Sequence, residues 1–152
     1  LKRFRFNLEK LLELRRFAEE EAERELARAI GELSELERRL ASLAEERAQV
    51  ARERFSHPHS VAELRHLELY LLRLDQQKEK LLEAMAIASQ NVERARQNYL
   101  EASRDKRVVE KLKEKKQAQY KKELFKEETR LLDDLGGRKR SPLSEAPEER
   151  IL

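Results

Sequence analysis

The chain has 152 residues, of which 43% are charged and 39% hydrophobic, with three glycines, three prolines and no cysteine. This composition excludes a disulfide framework, a thiolate metal site and a globule with a thick core, and favours long helices joined along a narrow apolar stripe. The net charge of +3 argues against a uniformly basic chain that coats nucleic acid.

Charge is nonetheless unevenly placed. Residues 13–46 hold eleven acids against six arginines, whereas residues 104–126 hold ten bases against four acids. No apolar run approaches the roughly 18 residues of a membrane span. The amino-terminal LKRFRFNLEK lacks the apolar region of a secretory signal, so a cytoplasmic protein is expected.

A first helix is predicted over about residues 8–55, where there is no proline and Gly31 is the one glycine. With Leu12 at a, the a positions are Leu12, Glu19, Leu26, Leu33, Leu40 and Arg47, and the d positions are Arg15, Ala22, Ala29, Leu36, Leu43 and Val50. Nine of these twelve are apolar, which marks a helix that seeks a partner. Ala22 and Ala29 imply a close approach.

A turn follows at about 56–60. Pro58 cannot donate a backbone hydrogen bond and disfavours helix at His57. Ser60 and Glu63 then form an S-x-x-E capping box that starts a second helix. His57, His59 and His66 lie close in sequence, but Pro58 splays the first two and no further ligands are evident. They are expected as exposed loop histidines without metal.

The second helix is predicted over about 61–135, with a stop at Gly136 and Gly137 in left-handed geometry. Its seam runs Leu64, Leu67, Leu71, Leu74, Lys78, Leu81, Met85, Ala88, Val92, Ala95, Tyr99, Ala102, Lys106 and Val109. Beyond Val109 the apolar residues leave this phase, as at a stutter. The tail, residues 136–152, mixes Gly, Pro, Ser and charge and is expected to be disordered. Its RKR triplet reads as a solvated tail.

The short break predicts an all-α, long two-helix antiparallel coiled-coil hairpin with unequal arms over residues 1–135, a monomer in preference to a parallel dimer. Pairing about Pro58 sets residue i opposite 116 − i. Glu19 to Glu25 then face Asn91 to Gln97, and Arg94 and Arg96 offset some of their charge. Roughly 25 residues of the second helix would overhang the first, on the order of 40 Å.

Such a hairpin offers no concavity for catalysis. No phosphate-binding loop, H-E-x-x-H or G-x-S-x-G is present, so no enzyme and no cofactor is expected. Phe4, Phe6, Leu11, Leu14 and Phe17 at one end, and Leu69, Tyr70 and Leu72 nearer the turn, lie outside the seam and suggest partners.

The segments FRFNLEKLLELRRFAEEEAERELARA, ELRHLELYLLRLDQQ and KRVVEKLKEKKQAQYKKELFKEETRLLDDL, in this order, resemble the FliJ family of the flagellar type III protein-export apparatus. The resemblance implies a non-enzymatic, stalk-like coiled coil at the cytoplasmic face of the flagellar base. Its implied partners are the export ATPase ring, the cytoplasmic domain of the export gate and substrate chaperones, with only peripheral membrane association and no nucleic acid. On this resemblance Phe4, Phe6, Leu8, Leu11, Lys113, Lys116, Tyr120, Lys121 and Leu124 are candidates for the ATPase end. Leu69, Tyr70 and Leu72 are candidates for the gate or a chaperone. A spacer coiled coil without ATPase coupling is the alternative, followed by a basic coiled coil that binds nucleic acid.

Overall fold

The structure, a computed structural model, describes residues 2–139. They form an all-α hairpin of two helices packed on each other, α1 (Glu9–Ser56) and α2 (Val61–Lys139). Contacts divide the chain into two units, Glu13–Lys106 and a second made of Leu1–Leu12 with Arg107–Leu152.

In the unit Glu13–Lys106 the turn is closed by its own polar atoms. His59 Nε2 donates to the Glu53 carbonyl at 3.0 Å, and Ser56 Oγ donates to the same carbonyl at 2.8 Å. Two side chains thus satisfy a last-turn acceptor of α1 that has no helical partner. His59 is therefore buried, its side chain only 6% exposed, rather than solvated as the sequence suggests. Pro58 has turned it back against α1.

The capping box forms as expected. Ser60 N donates to Glu63 Oε2 at 3.1 Å, and Glu63 N donates to Ser60 Oγ at 3.2 Å. The Ser60 backbone bond, helped by the His59 ring, holds the Glu63 carboxyl below its ordinary 4.5. Because folding lowers this pKa, the stabilisation is complete above the ordinary value and is lost as pH falls through the lowered one. Asp75 has the same sign, held down by the hydrogen bond from Arg47.

We therefore expect the thermal midpoint to fall on acidification below the ordinary carboxylate range, with Glu63→Gln flattening that limb of the profile. Ser60→Ala should lower the unfolding free energy by about 1 kcal/mol at neutral pH. Denaturant titration of both variants measures this. An acid limb unchanged in Glu63→Gln would contradict the assignment.

The predicted seam is the buried stripe. Ala29, Leu43, Leu74, Ala88 and Val92 are its most buried members in this unit. Every a and d position of α1 is at least half-buried except Arg47, and along α2 as far as Val109 only Lys78 is exposed. Arg47 turns outward and its Nε donates to Asp75 at 2.7 Å.

Charged side chains do not follow the 116 − i pairing. Arg15 meets Asp105, Arg54 meets Glu68, and Glu19 meets Lys106 rather than the region of Gln97. Long helical side chains lean toward the amino terminus of their own helix. In an antiparallel pair the two leans add, so charged tips meet several residues beyond the level of their Cα atoms. The acidic cluster is correspondingly offset within α1, where Arg24 pairs with Glu20 and Glu21 and Arg28 with Glu25. Arg96 pairs with Glu93 on its own helix.

In the other unit, Leu12 and Val109 are the buried apolar pair, with Leu12 fully enclosed. Residues before Glu9 are not helical. They lie along α2 as a strap, fixed where Tyr120 OH donates to the Lys2 carbonyl at 2.9 Å. The Phe4 ring sits 5.5 Å from that of Tyr120. Between Glu9 on Lys113 and Lys2 on Tyr120 these residues run along about two turns of α2.

The uncovered part of α2 is therefore shorter than the overhang expected from helix lengths alone. Side chains are exposed continuously only over 125–137. The seam keeps its three-and-four phase through Lys113 and Tyr120, both half-buried, and slips only between Tyr120 and Leu124, which is half-buried one position off it. Lys113 occupies a core position because its ammonium binds Glu9 at 2.8 Å. Gly136 and Gly137 stand inside α2 without positive φ, so the expected stop does not occur there. Residues 140–152, and with them most of the expected disordered tail, lie outside the described residues.

Candidate functional site

At the end holding the strap, Phe4, Phe6, Leu8, Lys116 and Tyr120 border one groove of about 390 Å³ with Leu112 and Gln119. Five of the nine residues expected at this end thus come together. Phe4 and Phe6 are half-buried against α2, while Lys116 and Lys121 are exposed. Leu11, Lys113, Lys121 and Leu124 do not line the groove, and Lys113 is occupied by Glu9.

Leu112 and Gln119 are lining residues that the sequence reading did not select. The signal for Leu112 was its position off the seam, since an apolar residue one step outside a coiled-coil phase has to be covered by something else. Here the strap covers part of it, leaving it 37% exposed.

The electrostatics are mixed, with Glu123 in the groove and Glu127, Glu128, Asp133 and Asp134 exposed toward the end of α2. Lys115, Lys116, Lys121, Lys122 and Lys126 form no ion pair among the described residues. Beside them Phe125, Leu131, Leu132 and Leu135 are all more than half exposed. A helix that presents apolar side chains together with uncompensated ammonium groups suits an acidic, partly apolar protein surface.

The second candidate patch is less coherent. Leu69 and Leu72 are one turn apart on α2 and exposed, at 60% and 54%. Tyr70 is half-buried and turned toward α1, where its hydroxyl donates to Glu46. That bond to a carboxylate raises the phenol pKa above its ordinary value. Leu69 and Leu72 therefore form the accessible surface, with Tyr70 fixing the helix beneath them.

Among the described residues no group of three or more His, Asp and Glu is placed to hold a metal ion, and no helix is long and apolar enough to cross a membrane. The family described as Flagellar FliJ protein matches residues 4–140. No curated protein and no solved structure matches the chain.

Proposed function

Because the chain belongs to the FliJ family, and so is a component of the flagellar export apparatus, we propose that it acts as a non-enzymatic stalk that engages the export ATPase ring. It works at the cytoplasmic face of the flagellar base. The supporting observation is the end of α2, where five lysines without an ion pair among the described residues stand beside an aromatic groove and exposed leucines.

On this reading Lys116, Lys121 and Lys122 face acidic ring surfaces, and Tyr120, Leu124, Phe4, Phe6, Leu8 and Leu11 supply the apolar part of the contact. Lys113 supports them from beneath through Glu9. Coupling to ATP turnover requires that these contacts differ between conformers of the ring subunits. The patch at Leu69 and Leu72 serves the export gate or a substrate chaperone, and the hairpin acts as a monomer.

The test is stimulation of a purified flagellar export ATPase. The triple reversal Lys116→Glu, Lys121→Glu and Lys122→Glu leaves the Glu9 pair intact and is expected to weaken ring binding at least roughly tenfold, with stimulation lost in proportion. Unchanged binding and turnover would remove this end of α2 from the ring contact. A spacer without coupling would instead leave the ATPase unstimulated by the wild-type chain as well.

A further inference from the structure

The strap and α1 cover α2 in different ways. Up to Glu9 the seam of α2 is met by a helix. Beyond it the row continues through Tyr120, Leu124, Leu131 and Leu135, spaced by four and seven residues, without a helical partner. The strap lies on the first part of that row, and the side chains from Phe125 to Gly137 are exposed.

The strap is held lightly. Its observed fixings are one hydrogen bond from Tyr120 to the Lys2 carbonyl, the contact between the Phe4 and Tyr120 rings, and the half-burial of Phe4 and Phe6. Ordering a non-helical segment that makes no ladder of backbone bonds opposes these gains with lost chain entropy. By contrast α1 meets α2 with apolar seam residues and with glutamates on the seam lysines, Glu19 on Lys106 and Glu9 on Lys113.

We infer that the strap is a releasable cover over an unfinished coiled-coil seam, and that the occupant which replaces it is an amphipathic helix of a partner protein with glutamate or aspartate flanking its apolar stripe. Continuity with the hairpin's own seam fixes the shape of this occupant. Along the part of the row that the strap covers, Lys115, Lys116, Lys121 and Lys122, which form no ion pair among the described residues, fix its charge. Release uncovers Leu112 and Tyr120 on α2 and frees Phe4 and Phe6 to pack on the incoming helix. The inference rests on the proposed role of this end as a docking surface, and adds that docking competes with an intramolecular contact.

Competition has a measurable signature, because a partner that binds only the open form sees its apparent affinity reduced by the open fraction. The probe is a synthetic amphipathic peptide with leucine at a and d and glutamate at e and g; a peptide with the same leucines and with lysine in place of glutamate is the control. Tyr120→Phe with Asn7→Gly removes the strap's hydrogen bond and gives the released strap more chain entropy while leaving Phe4, Phe6, Leu12 and Val109 in place, so helicity should be retained. The acidic peptide is expected to bind this variant roughly tenfold more tightly than wild type, and the lysine peptide to bind neither. The chain has no tryptophan, so Phe4→Trp places a single indole on the strap, and its emission should shift to the red when the acidic peptide binds.

Equal or weaker binding to the loosened variant, binding without a change in indole emission, equal binding of the lysine peptide, or no binding of the acidic peptide to either chain would each overturn the inference. The export ATPase separates it from the broader reading. If the ATPase binds and the indole does not respond, only the strap fails; if the peptide behaves as expected and the ATPase is not bound, only the ring assignment fails.

Discussion

Leu74→Ala is expected to lower the unfolding free energy by about 3 kcal/mol, whereas Leu72→Ala on the same helix should change it by less than about 0.5 kcal/mol. Leu74 is 2% exposed and Leu72 is 54% exposed. In a two-helix seam no further layer closes over a cavity, so water reaches the truncated site and the loss stays below the upper range for a deep core. It is still a large fraction of the total for a chain of this size. Urea unfolding with an unchanged m value would establish that stability, not the denatured state, has changed.

The same comparison separates structure from recognition. Leu72→Ser and Leu69→Ser should leave the hairpin folded yet weaken binding to the gate domain or a chaperone, as removal of an exposed apolar contact does. If both serine variants bind these partners like wild type, the patch has no docking role. Tyr70→Phe should instead act through the helix pair, since its hydroxyl belongs to the contact with Glu46.

The elements most legible in the sequence were those fixed by local chemistry. Pro58 ends one helix, Ser60 and Glu63 begin the next, and the apolar three-and-four spacing marks the seam residue by residue. What was not legible depends on the reach of side chains and backbone across the pair. Lys106 and Lys113 sit in core positions because each ammonium finds a glutamate on the other helix. Counting Lys113 as polar placed the slip at Val109 instead of after Tyr120. The strap was missed for a related reason: KRFRFN contains no glycine or proline to exclude helix, so neither its non-helical form nor the length of α2 it covers could be read from helix lengths. Of the groove, Phe4, Phe6, Tyr120 and Lys116 were legible as candidates, but Leu112 is placed on it only once the strap is laid over it.

Breaking the Glu19 and Lys106 pair should have the largest effect of any charge substitution in the chain. Lys106 Nζ lies 3.0 Å from each Glu19 oxygen, and the two side chains are only 24% and 16% exposed. Oε2 accepts no hydrogen bond and is shut off from water, so the ammonium is the main compensation for the carboxylate. Lys106→Ala leaves that charge without it, and a loss of about 2 kcal/mol is expected, below the 3–5 kcal/mol of a fully buried pair because water reaches part of this one. Exposed pairs such as Arg38 with Glu35 should each contribute under about 1 kcal/mol. Replacing both partners together, Glu19→Leu with Lys106→Leu, is expected to restore wild-type stability or exceed it, because neither desolvated charge remains. The double variant then loses a polar layer that admits only one alignment of the helices. A continuous apolar seam tolerates sliding and a second copy of the chain, so light scattering across concentration should show self-association in the double variant and not in wild type. If the double variant is no more stable than Lys106→Ala, the pair stabilises the fold outright rather than fixing its register.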